Sequence, residues 1–286
     1  MHFPTKPNSL GRSMVLLAPA GACLDPFSGP VTVSDRAHSE LIREMQRLRG
    51  EVYLSDGAIQ ASQMTSGRHV SPCDEESWHL LTARRDGTVA GCVRFLRHPN
   101  TVRCHQLRVS SAPLARSRDW AAGFVSSINS ELEAARRYNF SYVEIGGWAL
   151  APELRGTAEA LHTVLSTYAL AQIQGGALGI TTATERNGSA SILRRLGGRP
   201  LEWDGASLPS YYDPKYRCGM EVLRFDSRNP NARYAPAVDS LRSHIATLPI
   251  FCPDEGPASE KNARRFSNLL QGFTQPRAGV PAFSHT

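Results

Sequence analysis

The stretch "LAPELRGTAEA", from Leu150 to Ala160, joins an apolar run to the start of a small-residue helix. Such a turn leaves the first N–H groups of the helix without partners, and the helix dipole adds a positive end. Gly156, Thr157, Ala158 and Ala160 keep side-chain bulk low there, and Arg155 adds a fixed positive charge. A phosphate-bearing ligand can settle on such a turn. An ordinary loop shaped by Pro152 and Gly156 explains the same residues. No Ser-His-Asp order or nucleophile elbow stands out elsewhere, so a covalent enzyme intermediate is not expected. The six cysteines form no CxxC pair and none has a histidine at metal-ligand spacing. They read as free thiols of a reducing, cytoplasmic setting, with no metal.

Composition narrows the partners. In 286 residues, 41% are hydrophobic, enough for a core, and the formal net charge is +6. This mild basic excess is spread along the chain. It suits an acidic ligand or an acidic carrier protein, and no zinc finger, RNP motif or basic arm argues for nucleic acid. No apolar run reaches the roughly 18 residues of a membrane span. "SMVLLAPAGAC" ends faintly like a lipoprotein cleavage site, but the run is short and holds Pro19.

The elements that must position the turn follow from periodicity. Residues 1–34 are rich in Pro, Gly and Ser and are expected to be a disordered tail. Leu41, Ile42, Met45 and Leu48 mark a helix over 35–49. "SWHLLTARR" and "VAGCVRFLRH" flank Asp86-Gly87 and predict a hairpin. "CHQLRVSS" is expected to be a third strand. Trp120, Phe124, Ile128, Leu132 and Ala135 form the buried stripe of a helix over 119–138. "SYVEIGGWAL" predicts the central strand, followed by a helix over 156–174 that Gly175-Gly176 stops. "LGITTAT", a short helix, "RPLEW" and "GMEVLRFDS" complete residues 35–227. Residues 228–286 read as a linker, one helix over 235–247 and a flexible tail.

The strand "VEIGGWALAP", the Arg155-Gly156 turn and the helix after it resemble the acyl-thioester motif of the GNAT acyltransferase superfamily. Ala158 and Ala160 stand where Gly is common, and "TATERNGSASILRRLGG" resembles the Asn-x-x-Ser/Ala…Leu-Gly segment, with Asn187 on the Asn. The resemblance covers about residues 36–226. It implies an α/β (α+β) fold with a mixed, mostly antiparallel central sheet and helices on both faces. It further implies that the central strand bulges at Gly146-Gly147 and splays from its neighbour, admitting the pantetheine arm of a donor. A free N–H at Gly147 would then hold the thioester oxyanion. Leu150, Arg155, Gly156, Thr157, Ala158, Glu159, Ala160 and Asn187 would hold the donor.

"SWHLLTARRDGTVAGCVRFLRHP" is similar to a segment of autoinducer (acyl-homoserine-lactone) synthases, with Arg94 and Asp74 on that segment's Arg and acidic residue. Glu144 falls on their central-strand Glu. Gly147 stands where they carry an Arg, and the combined pattern looks more like N-acyl amino acid synthases. The resemblance implies an N-acyltransferase that moves an acyl group, expected to be long, from acyl-CoA or an acyl carrier protein to a small-molecule amine. Glu144 is the candidate base. Asp74, Arg94, Trp148 and Tyr211 are candidates for contacting substrate. A long chain is expected to lie between the helices at 119–138 and 155–174. An acetyl-CoA-dependent N-acetyltransferase and a non-catalytic thioester-binding domain remain alternatives.

Overall fold

A computed structural model describes residues 12–254, and those up to Pro253 belong to one compact unit. The chain opens with β1 (Ser13–Leu17) and β2 (Val31–Val33), then α1 (Asp35–Ser55). The hairpin β3 (Trp78–Ala83) and β4 (Val89–His98) follows, then α2 (Ala121–Arg137), β5 (Ser141–Leu150) and α3 (Ala158–Ile173). Next come β6 (Ala177–Thr184), α4 (Ser189–Leu196) and four short strands: β7 (Arg199–Pro200), β8 (Glu202–Trp203), β9 (Ala206–Ser207) and β10 (Tyr211–Asp213). β11 (Cys218–Asp226), α5 (Ala235–Ile245) and β12 (Ile250–Cys252) close the described chain.

Ten strands form one sheet in the order β10-β11-β6-β5-β4-β3-β1-β12-β2, with β7 also on β11. The pairs β1–β12, β12–β2 and β5–β6 are parallel and the rest antiparallel. Side chains alternate between faces along each strand. On β4, Val93 and Phe95 join a core under α3 and α5, with Leu80, Val143, Tyr168 and Leu241. Cys92 points to the opposite face, where Leu41, Met45, Leu48 and Val52 of α1 cover Val15, Leu81 and Ala149. On that same face α2 lays Phe124, Ile128 and Leu132 over Tyr142, Ile180 and Val222. α1 begins where Ser34 accepts the N–H of Ala37 at 3.2 Å. α3 is apolar nearly all round because the sheet lies on one side and α5 on the other.

Several expectations change. Residues 12–34 are not a tail: β1 sits between β3 and β12, with Val15, Leu16 and Leu17 fully buried. A five-residue apolar run has no room to show a period, so it reads as tail. Each aliphatic side chain buried there is nonetheless worth about 1.5–3 kcal/mol. Residues 1–11 and 255–286 lie outside the described residues. The expected strand at 104–111 is a pair of short 3-10 turns, Cys104–Gln106 and Arg108–Ser111. The N–H groups of Arg108 and Val109 that a strand would give to a neighbour go instead to the carboxylate of Glu144. The expected hairpin, central helix-strand-helix and helix at 235–247 are all present. No helix among the described residues is long and apolar enough to cross a membrane.

Candidate active site

The centre of the molecule is an opening in the sheet. β5 pairs with β6 only from Ser141↔Ala177 to Glu144↔Ile180. Residues 145–150 and 181–184 continue without pairing to each other. On its other edge β5 is bulged. Cys92 faces Ala149 and Arg94 faces Gly146, so Gly147 and Trp148 together oppose Val93. Gly147 has φ +64°, the left-handed region that glycine enters freely and that bulges of this kind require. The bulge and splay inferred from Gly146-Gly147 are both found, side by side.

Beneath the bulge lies a buried charge cluster. Arg49 of α1, 1% exposed, donates Nη1 to Asp74 Oδ1 at 2.8 Å and Nη2 to Asp74 Oδ2 at 2.6 Å. Its Nη2 also reaches the carbonyl of His69 at 2.5 Å. Asp74 Oδ2 accepts further from Gln46 Nε2 at 3.0 Å and the Ser71 N–H at 2.9 Å. Arg94 Nη1 lies 4.0 Å from Asp74 Oδ1 and donates to Ser71 Oγ at 3.2 Å. A Cβ on Gly147 would lie 3.4 Å from Arg94 Cβ and 3.5 Å from Arg49 Nη1, so the two arginines floor the bulge.

Burial alone would raise the Asp74 carboxyl, but the hydrogen bonds and charge of Arg49 outweigh it and hold it at about 2. Burial lowers His79 to about 4, although its Nε2 contacts the carbonyl of Asp74 at 2.8 Å. Burial, then the Arg49 charge, lowers His69 to about 4 as well. Both rings are therefore neutral at pH 7, and two guanidiniums face one carboxylate. Arg94 Nε is buried and makes no hydrogen bond among the described residues, while its Nη2 lies beside Gly146 at the bulge.

Glu144 occupies a different setting from the one expected of a base. Its Oε2 contacts His98 Nε2 at 3.0 Å and accepts the Arg108 N–H at 3.0 Å, while Oε1 accepts the Val109 N–H at 2.8 Å. Burial would raise its pKa, but these three contacts, His98 foremost, bring it below the ordinary carboxylate range. Trp148 and Tyr211 are both partly buried, and neither Trp148 Nε1 nor the Tyr211 hydroxyl has a partner among the described residues. Trp148 packs on the α3 side of the sheet and Tyr211 on the α2 side. They are orphaned donors on opposite faces. The Cys92 thiol, pushed up to about 12 by burial, is an inert donor to the carbonyl of Gly147 at 3.3 Å.

The turn after β5 is built as read. Gly156 has φ +73° with open space around it, and Thr157 caps α3, accepting the N–H of Ala160 at 3.4 Å. Its charged side chains are engaged, Glu153 with Arg84 at 2.6 Å. Glu159 pairs with Arg12 at 2.6 Å, and Arg155 pairs with Asp56 at 3.0 Å. Arg155 also reaches back to the carbonyl of Leu150 at 3.4 Å. Asn187 is exposed in the turn after β6.

The expected acyl tunnel between α2 and α3 does not form, because these helices cover opposite faces of the sheet. The apolar space beside β5 lies under α3, walled by Phe95, Ile145, Tyr168, Gly179 and Phe225, and holds about 10 Å³. That is the room for roughly one water. Tyr168 and Phe225 meet edge to face at 5.8 Å across it.

Sequence reading missed Arg49 and Gln46, whose only signal was a charged residue on an apolar stripe. Arg49 follows Leu48 on the face that carries Leu41, Met45 and Val52. It also missed Asp56 and Arg186, which join separate loops and carry no local pattern.

No protein-family model matches the chain, and no curated protein matches it. Solved structures do. A CoA-dependent acyl-homoserine lactone synthase, BjaI, with SAM and isopentyl-CoA, is similar over 90% of this chain and 100% of its own, at 17% identity and TM-score 0.51. The same synthase with MTA gives TM-score 0.50 at 17% identity, with the same coverage. FeeM, an N-acyl amino acid synthase from uncultured soil microbes, reaches TM-score 0.45 at 10% identity, covering 82% of this chain and 96% of its own. The chain has the GNAT-like fold expected from its sequence, and the resemblance is borne out at the level of the fold.

Proposed function

We propose that the protein is an N-acyltransferase that moves an acyl group from a thioester to the amine of a small acceptor carrying an anionic group, such as an amino acid. One observation carries this reading: the β5–β6 opening meets the Gly147 bulge directly above a cluster with one more guanidinium than carboxylate. Unpaired strand edges accept an extended pantetheine arm as an added strand. The turn at 155–160 receives its phosphate, with Leu150, Gly156, Thr157, Ala158, Glu159, Ala160 and Asn187 around it. A coenzyme A or acyl-carrier-protein thioester fits this arrangement, and the neighbour BjaI was solved with isopentyl-CoA.

The chemistry then balances simply. The thioester carbonyl lies at the bulge, where a backbone N–H at Gly147 stabilises the developing oxyanion. The acceptor's anionic group lies on Arg94 Nη2 beside Gly146, with the guanidinium held by Ser71 and Asp74, which aims the acceptor's amine at the carbonyl carbon. The N–C bond forms, the C–S bond breaks, and the thiolate leaves with the pantetheine. The amine's proton passes to solvent or to a carboxylate. Glu144 was the expected base. Its engaged oxygens and lowered pKa favour anchoring the 108–111 turn over taking that proton. Trp148 Nε1 and the Tyr211 hydroxyl are unsatisfied but buried, so each reaches a bound substrate only after a side-chain shift.

Phe95, Tyr168 and Phe225 close the space beside β5, so a short acyl group fits there without repacking and a long one needs Tyr168 to move. Initial rates of thiol release with acetyl, butyryl, octanoyl and dodecanoyl thioesters test both parts. Rates should fall along the series in the wild type and recover for octanoyl in Tyr168→Ala. A series that rises with length restores the long-chain expectation. Amine-independent release throughout contradicts N-acylation.

A further inference from the structure

Arg155 lies where a donor phosphate is expected, but the structure gives it a carboxylate. Its Nη1 and Nη2 donate to Asp56 Oδ1 and Oδ2 at 3.0 and 3.2 Å. Asp56 is the C-cap of α1, so this pair ties the end of the helix that carries Arg49 to the turn that opens α3. The strap it begins is held from a second side. Arg186 donates Nη1 to the carbonyls of Asp56 and Gly57 at 3.4 and 3.5 Å. Its Nη2 reaches the carbonyl of Tyr216 at 3.2 Å and that of Arg217. Residues 155 and 186 follow the ends of β5 and β6, so these loops converge at the mouth of the opening.

The pair is half-open to solvent: the side chains of Arg155 and Asp56 are 45% and 20% exposed. Ion pairs this exposed exchange partners at little cost. A phosphate is a strong bidentate partner for a guanidinium. An incoming diphosphate must nevertheless expel Asp56, and the displaced carboxylate stays nearby as a like charge. Pantetheine, with no phosphate, meets no such competition, and a single phosphodiester, with less charge than a diphosphate, meets less of it.

We propose that Asp56 is a donor-selecting residue: its carboxylate competes with the diphosphate of coenzyme A for Arg155, biasing the site toward pantetheine-type donors. This rests on the thioester-transfer reading above. Carrier-bound phosphopantetheine, with one phosphodiester in place of the diphosphate, is the donor class so favoured.

Calorimetric binding of coenzyme A and of pantetheine to the full chain tests this, in the wild type, Asp56→Asn, Asp56→Ser and the double variant Asp56→Asn/Arg155→Ala. Removing the charge should tighten coenzyme A binding about fivefold or more, leave pantetheine binding unchanged, and give no gain without Arg155. Circular dichroism checks that each variant is folded, and the serine variant stands in if asparagine disturbs the helix end. Unchanged or weaker coenzyme A binding in the folded variants overturns the proposal, as does an equal gain for pantetheine. If neither compound binds the wild type or any variant, the thioester reading falls, and the proposal with it.

Discussion

The two ion pairs that flank the opening, Arg49–Asp74 and Arg155–Asp56, have the same chemistry and opposite settings. Both are two-pronged contacts between a guanidinium and a carboxylate. The first is 1% exposed on both sides and carries extra bonds from Gln46 and Ser71. The second stands open at the mouth. Burial decides what each can do. A buried pair cannot let go without stranding a charge, so it fixes geometry. An exposed pair is worth little and can trade partners, so it suits a place where a charged ligand comes and goes. In the proposed transfer, the acceptor side is architecture and the donor side is an exchange point.

Breaking the buried pair has the largest expected effect. Arg49→Met removes the two-pronged partner of the buried Asp74 carboxylate and leaves it Arg94 at 4.0 Å with bonds from Gln46 and Ser71, which should cost about 3 kcal/mol in denaturant unfolding. Adding Asp74→Leu should return part of that loss, because the most deeply buried charge is then gone and the partner lost is that of Arg94, which is 11% exposed. A loss below about 1 kcal/mol for Arg49→Met would make the pair a surface-like contact and remove the contrast.

Acid reaches the same region by a second route. His79 is fully buried and its folded pKa is about 4, below its ordinary 6.5. Between those values the unfolded chain binds a proton that the folded chain does not, so stability falls as pH drops. The shift corresponds to about 3 kcal/mol lost between pH 6.5 and 4. Asp74, depressed to about 2 from 3.8, adds a further loss only below about pH 4. Unfolding midpoints measured from pH 7 to 3 should slope downward in both windows, and His79→Asn should lessen the upper slope, with the remainder coming from His69. An unchanged upper slope in that variant assigns the acid sensitivity elsewhere.

Gly147→Ala sharpens the comparison at its centre. A Cβ there meets Arg94 and Arg49 at ordinary contact distance, so the cost is conformational and not a clash. Forcing alanine to φ +64° should cost about 1–2 kcal/mol and flatten the bulge. Thiol release should drop more than stability does, since the N–H meant for the oxyanion is re-aimed. Asp56→Asn should be the mildest, changing stability by less than about 1 kcal/mol.

The two sides also differed in how far they could be read from sequence. The turn after β5 is local: Gly156, the Thr157 cap and the small residues of α3 act within a few positions, so their letters suffice. The Gly146-Gly147 bulge is local too. The buried charge cluster is tertiary. Arg49, Asp74 and Arg94 come from a helix, a loop and a strand, and only the last two were marked by resemblance. Arg49 was hidden because a charged residue on an apolar stripe reads as exposed. β1 was hidden because a short strand paired to distant β3 and β12 leaves no periodic trace. The acyl tunnel failed for a third reason. Which sheet face a helix covers is set by crossover connections, and the pattern of one helix does not report it.

The most direct test of the central claim is amine-dependent thiol release by the purified protein. Short-chain acyl-pantetheine and acyl-CoA would serve as donors, and an amino acid would be compared with its carboxamide as acceptor. The account predicts release that requires the amine, favours the free carboxylate, and loses that preference in Arg94→Met while donor binding persists. Release indifferent to the acceptor's carboxylate, with Arg94→Met behaving as wild type, would contradict it.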